Sequence, residues 1–299
     1  MWLLCTFLTF FAWGTADLFY KMGNNSKDNY NFLKTGILVG LVMGIHATIY
    51  LFVKHLSINP MDLIKYLPVS LCYIASMVIG YRGLKYLELS ICSPIQNTSG
   101  VITALLLLIF FKEQLHPAAY FAFVLIFIGI VELSLIQLKE NEKERKDFQK
   151  KNTLKKILTL TILFPLAYCF IDGLGTFLDA IYLDYGELIS EDAALLAYEY
   201  TFLIYGIITY IYLKVKKQPF EITKEKNKLF AAIFETAGQF FYVFAMSGSS
   251  VIAAPIVGSY CILSMLLSRV FLKEKLTKKE YVSIFLVLVG IVILGVLDI

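Results

Sequence analysis

Residues 81–133 read YRGLKYLELSICSPIQNTSGVITALLLLIFFKEQLHPAAYFAFVLIFIGIVEL, and their pattern returns at residues 242–294 without a gap. The residues that recur, each pair 161 positions apart, are Tyr81 and Tyr242, Pro94 and Pro255, Lys112 and Lys273, Leu115 and Leu276, and Gly129 and Gly290. Both copies are strings of apolar segments long enough to cross a membrane. Internal repeats in such a chain are typical of membrane carriers whose binding site lies between the two halves.

A second match covers the opening of each half. Ala12-Trp13 and Asp17 align with Ala167-Tyr168 and Asp172, here at an offset of 155. The second half therefore contains six additional residues between its first and later segments. The simplest position for them is the stretch 179–191.

The composition indicates a lipid environment. Hydrophobic residues make up 58% of the chain and charged residues 17%, whereas a soluble domain carries about 25% charged residues. Mean hydropathy is +0.71. We therefore expect a multi-pass protein of a cell membrane, and specifically of the bacterial cytoplasmic membrane.

Apolar segments of about 20 residues, the length that spans a bilayer, occur ten times. They cover residues 2–20, 33–53, 67–87, 91–111, 117–138, 155–178, 192–213, 229–247, 250–271 and 279–297. The sequence thus predicts an all-α integral membrane protein with ten transmembrane helices. We expect a first five-helix repeat at residues 1–138, a charged linker at 139–154 and a second five-helix repeat at 155–299.

The positions of the basic residues predict the orientation. All of the 27 Lys and Arg residues except Lys54, Lys65 and Lys112 lie on one side of the predicted bundle. Because positively charged loops remain in the cytoplasm, both termini are predicted to lie outside. An odd number of helices in each half then makes the two repeats inverted relative to each other, as alternating access around a central site requires.

The order of these features resembles the drug/metabolite transporter superfamily, in its EamA-type branch of two five-helix repeats. The residues that carry the resemblance are Ala12-Trp13-Gly14, Gly83-Leu84-Lys85-Tyr86-Leu87, Lys112-Glu113-Gln114-Leu115, Lys273-Glu274-Lys275-Leu276, Gly129 and Gly290. Each motif is short, but their order is duplicated over nearly the whole chain. Members of this family often have a proline midway along helix 4, where this chain has Gly100. The resemblance implies a transporter, and export more often than uptake.

Acidic residues inside the predicted helices are the main functional signal, because a charge within the bilayer costs about 2.5 kcal/mol or more. Asp17 and Asp172 hold matching positions in helices 1 and 6, so we expect them on opposite walls of one cavity. Glu199 and Glu235 are further candidates. Each acid could instead cap a helix or bond a neighbouring side chain. His46 could relay protons or be a hydrogen-bonded interior histidine.

Aromatic and amide side chains are predicted to surround these acids. Glu235, Gln239 and Tyr242 share one face of helix 8. With the four acids, the predicted solute-binding residues are Trp13, Tyr20, Tyr81, Gln96, Asn97, Tyr168, Gln239, Tyr242 and Tyr260. Pro94 and Pro255 are predicted to act as hinges, since proline interrupts helical hydrogen bonding.

No cluster of metal ligands, phosphate-binding loop or nucleophile–base spacing is evident in the sequence. We expect no enzyme activity, cofactor or metal site, and no nucleic-acid binding. The expected function is secondary transport of a small cationic or zwitterionic organic metabolite by alternating access, with protons as a coupling partner. A carrier of neutral solutes such as amino acids or nucleobases, and a lipid or lipid-linked headgroup translocase, are the alternatives. The expected partners are the solute and the lipid bilayer, with the chain as monomer or homodimer.

Overall fold

The structure, a computed structural model, describes residues 1–24, 28–83, 89–112, 115–146, 151–273 and 276–297. These residues are almost entirely helical, and they contain no β-strand. The α-helices are α1 (Trp2–Gly23), α2 (Asn31–Val53), α3 (Pro60–Gly83), α4 (Leu89–Phe111), α5 (Pro117–Lys146), α6 (Lys151–Ala180), α7 (Glu191–Val215), α8 (Lys226–Gly258), α9 (Cys261–Leu272) and α10 (Lys278–Leu297). The predicted all-α class is confirmed.

Every apolar segment predicted from the sequence overlaps a helix. Among the described residues, seven helical stretches are long and apolar enough to cross a membrane, and Ile95–Phe111 and Pro117–Leu133 are shorter apolar helices. One stretch, Lys226–Leu272, contains 47 residues. A helix of that length extends about 70 Å, more than twice the roughly 30 Å hydrocarbon core. Non-helical backbone at Ser249 (φ −164°, ψ 84°) interrupts it, between the predicted segments 229–247 and 250–271.

The helices of the two halves pack against one another in matching pairs. Helix α1 packs on α8, and its counterpart α6 packs on α3. Helix α1 also contacts α9, and α6 likewise contacts α4. Helices α2 and α7 pair directly, as do α5 and α10. If each helix is exchanged with the helix five places along the chain, these contacts are preserved. The halves therefore interlock and do not form two separate bundles.

The contact between α5 and α10 shows this relation at atomic detail. A Cβ on Gly129 would lie 2.8 Å from the Ser283 carbonyl oxygen, and a Cβ on Gly290 would lie 2.9 Å from the Ala122 carbonyl oxygen. Ser283 and Ala122 are separated by the same 161 positions as the two glycines. Only a residue without a side chain allows so close an approach of the backbones.

The recurring lysines end the fourth helix of each half. Lys112 follows α4 with φ 52° and Lys273 follows α9 with φ 58°. A left-handed residue immediately after a helix is a common way to terminate it. Lys85, Glu113 and Glu274, which belong to the family-like motifs, lie outside the described residues.

The stretch 179–191, the predicted position of the additional residues, contains a distinct connection. A π-helical turn at Ile181–Tyr185 follows α6. Its Asp184 carboxylate accepts hydrogen bonds from the Ser250 backbone N–H (2.8 Å) and Oγ (2.6 Å). This contact caps the helical segment that begins after Ser249. It joins the end of α6 to the bend in α8.

The predicted linker is helical wherever it is described. Helix α5 continues to Lys146, α6 begins at Lys151, and residues 147–150 lie outside the described part. The division of the chain into two repeats and a linker stays a prediction.

Candidate functional site

A central cavity lies between α1, α3, α4, α6, α7 and α8 and the turn before α9. The space within it that the centre of a water-sized sphere can occupy is about 80 Å³. The predicted site residues that line it are Trp13, Asp17, Tyr20, Tyr81, Gln96, Asn97, Tyr168, Asp172, Glu235, Tyr242 and Tyr260. Helices from both halves of the chain thus bring these residues together. Their role in solute binding stays a prediction.

Asp17 and Asp172 each accept a hydrogen bond from a serine of α4. Ser93 Oγ donates to Asp17 at 2.8 Å, and Ser99 Oγ donates to Asp172 at 2.8 Å. Ser76 of α3 donates a longer hydrogen bond, 3.3 Å, to the second oxygen of Asp172. Hydroxyl donors orient both carboxylates but do not neutralise their charge.

Glu235 lies beside Trp13 and Tyr20 on the cavity wall. The Tyr20 hydroxyl donates to the Glu235 carboxylate at 3.3 Å, and the Trp13 indole N–H donates to the Glu235 backbone carbonyl at 3.2 Å. The Trp13 ring also packs on Tyr242 with centroids 5.0 Å apart and edge-on to Tyr260 at 5.9 Å. These contacts hold α1 against α8 and leave aromatic surface facing the cavity.

A network of tyrosine hydroxyls surrounds Asp179, next to the cavity. The Tyr73 hydroxyl donates to Asp179 at 3.0 Å and lies 2.8 Å from the Tyr242 hydroxyl, and Tyr66 donates to the other carboxylate oxygen. The Asp179 side chain is 0% exposed. Because a buried carboxylate needs hydrogen-bond donors, this network explains how an acid is tolerated here without a basic partner among the described residues.

Several cavity residues were not predicted. Tyr73 and Met77 line the cavity and precede Tyr81 by eight and four residues, so they lie on the same face of α3. Thr176 follows Asp172 by four residues and shares its face of α6. Helical periodicity, counted from the residues already chosen, is the signal that finds these three. The other unpredicted lining residues are Gly80, Ser99, Gly100, Tyr198, Ala254, Val257 and Gly258.

Two predicted site residues, Glu199 and Gln239, are not among the residues that line the cavity. Both Glu199 carboxylate oxygens lie 2.8 Å from His46 Nδ1, and the Glu199 side chain is 0% exposed. His46 is therefore a hydrogen-bonded partner that joins α2 to α7. Gln239 is 1% exposed, and its Nε2 has no hydrogen-bond partner among the described residues.

The two predicted hinge prolines lie near the crossing of α4 and α8. Pro255 is buried in α8, and the helix ends three residues later at Gly258 before α9 begins at Cys261. Pro94 lies within α4, but its side chain is outside the described part. At the crossing, a Cβ on Gly100 would overlap the Ala254 carbonyl oxygen, so the backbones are in direct contact. The hinge role stays a prediction.

The electrostatic character of the cavity is acidic. Asp17, Asp172 and Glu235 line it, whereas none of the described lining residues is lysine, arginine or histidine. Seven tyrosines and one tryptophan also line it. Such a cavity attracts positively charged groups through carboxylates and aromatic faces.

Outside the cavity, an ion-pair cluster joins the α1–α2 loop to the start of α8. Lys34 Nζ lies 2.7 Å from Asp28 and 3.9 Å from Glu225, and Lys228 pairs with Glu225. Burial tends to raise the pKa of Asp28, but the hydrogen bonds from Lys34 and the Tyr30 N–H outweigh it and hold this pKa below its ordinary value. The stabilisation is therefore present above the ordinary pKa of an aspartate and is lost as the pH falls through the depressed value.

The family model described as "EamA-like transporter family" matches residues 1–135 and 159–296. The chain belongs to the EamA-like transporter family. This confirms the resemblance stated from the sequence motifs. The two matched segments correspond to the two halves that recur in the sequence.

One solved structure, described as "Crystal structure of protein", is similar over 98% of this chain and 95% of its own, with a TM-score of 0.70 and 14% sequence identity. At this identity the likeness shows the fold alone. No curated protein matches the chain.

Membership of this family identifies a multi-pass membrane transporter and points away from an enzyme. A transporter implies a small-molecule solute and a lipid environment. Among the described residues, no group of three or more His, Cys, Asp or Glu side chains could hold a metal ion.

Proposed function

We propose that this protein is a secondary transporter of a small organic cation or zwitterion, which binds in the central cavity. The observation that carries the proposal is the lining itself: three carboxylates and eight aromatic rings, with no basic side chain among the described lining residues. An ammonium group gains charge attraction and cation–π contact in such surroundings. A neutral solute gains neither.

We propose alternating access between two inverted five-helix repeats as the mechanism, with ten transmembrane helices in total. Two observations support this arrangement: the matched packing of the halves, and the contacts of Gly129 and Gly290, whose partner residues are separated by the same 161 positions as the two glycines. The cavity lies between elements of both halves, so a rocking motion of one half would open it to alternate sides.

Proton exchange is the proposed source of energy. An unpaired carboxylate in a poorly hydrated cavity binds either a proton or a cation, because leaving its charge uncompensated is costly. Asp17 and Asp172 are the proposed exchange sites. Protons entering from outside would then displace the solute outward, which corresponds to export across the bacterial cytoplasmic membrane.

The test uses purified protein in liposomes with an imposed proton gradient. We expect amine counterflow by the wild type and at least about tenfold slower transport by Asp17→Asn and by Asp172→Asn, the order of effect expected when a charge-assisted contact is lost. Glu221→Gln, an exposed residue paired with Lys224, is the matched control and should transport normally. Thermal unfolding of each variant monitors folding.

Wild-type rates in both aspartate variants would contradict the proposal. Counterflow of uncharged amino acids or nucleobases, without any response to amines, would indicate a carrier of neutral solutes. Movement of labelled lipid between leaflets, in the absence of soluble-solute counterflow, would indicate a translocase.

A further inference from the structure

The two matched aspartates offer separate binding points for positive charge. Asp17 accepts from Ser93 of α4 and also contacts the Ser264 hydroxyl. Asp172 accepts from Ser99 with one carboxylate oxygen and from Ser76 with the other, and it also contacts the Tyr168 hydroxyl. A carboxylate has about four acceptor positions, so both groups can accept further hydrogen bonds. The described cavity lining contains no basic residue to supply them.

The spacing of the two serines separates these points along α4. Ser93 and Ser99 are six residues apart in one uninterrupted helix, which corresponds to about 9 Å along its axis. A single ammonium makes hydrogen bonds of about 3 Å. One ammonium that reaches Asp17 beside Ser93 is therefore poorly placed to reach Asp172 beside Ser99.

The cavity wall also offers aromatic surface. Trp13 packs with Tyr242 and Tyr260 on the cavity wall. Tyr81 also lines the cavity, and its ring packs against that of Tyr20 with centroids 4.9 Å apart.

We infer that the solute is a linear diamine whose two ammonium groups bind Asp17 and Asp172, with its hydrocarbon chain against the aromatic wall. This inference rests on the proposed function and narrows it. A zwitterionic solute would place its carboxylate among three acids with no cation to pair with it. A monoamine would leave one aspartate without a counter-charge.

Indole fluorescence can measure binding directly. The chain contains two tryptophans: Trp13 lines the cavity, and Trp2 lies at the start of α1 against Gly248. In Trp2→Phe, emission therefore comes from Trp13 alone. Purified Trp2→Phe protein is titrated with cadaverine, with pentylamine, which lacks the second ammonium, and with lysine, which adds a carboxylate.

Cadaverine should bind at least about tenfold more tightly than pentylamine or lysine, since a charge-assisted pair contributes that order of affinity. In the Trp2→Phe background, Asp17→Asn and Asp172→Asn should each lower the affinity for cadaverine to the affinity for pentylamine. Glu221→Gln should leave the cadaverine preference unchanged. A merely structural role of the aspartates would weaken both ligands alike and keep their ratio.

The outcomes separate the inference from the function on which it rests. Equal affinities for cadaverine and pentylamine would overturn the diamine inference while leaving a transporter of organic cations. Tighter binding of lysine than of cadaverine would overturn it in favour of a zwitterion. Failure of every amine, both in binding and in counterflow, would overturn the proposed function itself. If an aspartate variant does not fold, the comparison of cadaverine, pentylamine and lysine in Trp2→Phe still tests the inference.

Discussion

Tyr242 and Gln239 lie on one face of α8 but have different surroundings. Tyr242 lines the cavity and its hydroxyl lies 2.8 Å from that of Tyr73. Gln239 has an amide nitrogen without a hydrogen-bond partner among the described residues. We expect Tyr242→Phe to change the half-saturation concentration or the preference among solutes, because a buried hydrogen bond contributes about 1 kcal/mol.

Gln239→Met should leave transport unchanged and raise the melting temperature.

Competition by a panel of solutes in liposomes, together with thermal unfolding, measures both effects. An unchanged half-saturation concentration together with an unchanged solute preference in Tyr242→Phe would remove Tyr242 from the binding site. A lower melting temperature in Gln239→Met would show that the amide is paired in the native protein.

His46 and Glu199 form a pair that can be tested without transport. Glu199 is fully buried and both its oxygens face His46 Nδ1. His46→Leu leaves that carboxylate without its partner and should lower the free energy of unfolding by about 1–3 kcal/mol. The double variant His46→Leu/Glu199→Leu should recover much of the loss, since replacing both members of a buried pair is often neutral.

The measurement is reversible unfolding in detergent of the wild type, His46→Leu, Glu199→Leu and the double variant. Together these four proteins form a double-mutant cycle. Additive losses in the double variant would mean that the two side chains do not depend on each other.

Among the elements, the crossing of α4 and α8 depends on small residues, Gly100 in α4 and Gly258 in α8. A Cβ on Gly100 would overlap the backbone of Ala254, whereas a Cβ on Gly173 in α6 would meet its nearest atom at an ordinary 3.6 Å. Alanine is favoured over glycine in a helix by about 1 kcal/mol. Gly173→Ala should therefore be neutral or stabilising. Gly100→Ala should lower stability by about 1–3 kcal/mol because the two backbones must separate.

Melting temperatures of the two alanine variants make a matched comparison. Equal stabilities would indicate that α4 and α8 do not pass in contact at Gly100. Loss of transport in a stable Gly100→Ala protein would instead show that the close crossing serves the transport cycle.

At the scale of the whole molecule, the distribution of charge predicts the orientation in the membrane. Lys and Arg lie almost entirely on one side, with Lys54, Lys65 and Lys112 as the exceptions. Because that side remains in the cytoplasm, tags placed before Met1 and after Ile299 should react with impermeant reagents on intact cells. Single cysteines introduced into the linker, residues 139–154, should react only after the cells are opened.

Labelling of the linker in intact cells would reverse this orientation and place both termini in the cytoplasm. A cysteine at an exposed position of the α7–α8 loop, such as Glu221, is a second reporter and should behave like the linker.

The family and the all-α class could be predicted from the sequence because they depend on properties local to the chain. Apolar length determines which segments can span a bilayer, and the repeated motifs recur at one offset. Asp17 and Asp172 could be chosen for the same reason, since an acid in an apolar segment is recognisable without knowing its neighbours. The interruption at Ser249 falls between the predicted segments 229–247 and 250–271.

Only the tertiary structure decided which polar residues share one cavity. Glu199 and Glu235 look alike in sequence, but Glu199 is paired with His46 between α2 and α7, while Glu235 faces the cavity beside Tyr20. The hydroxyl network around Asp179 joins residues more than 100 positions apart. Apolar patterning shows that a segment enters the membrane, but the rotation of each helix and its partners follow from packing across the whole bundle.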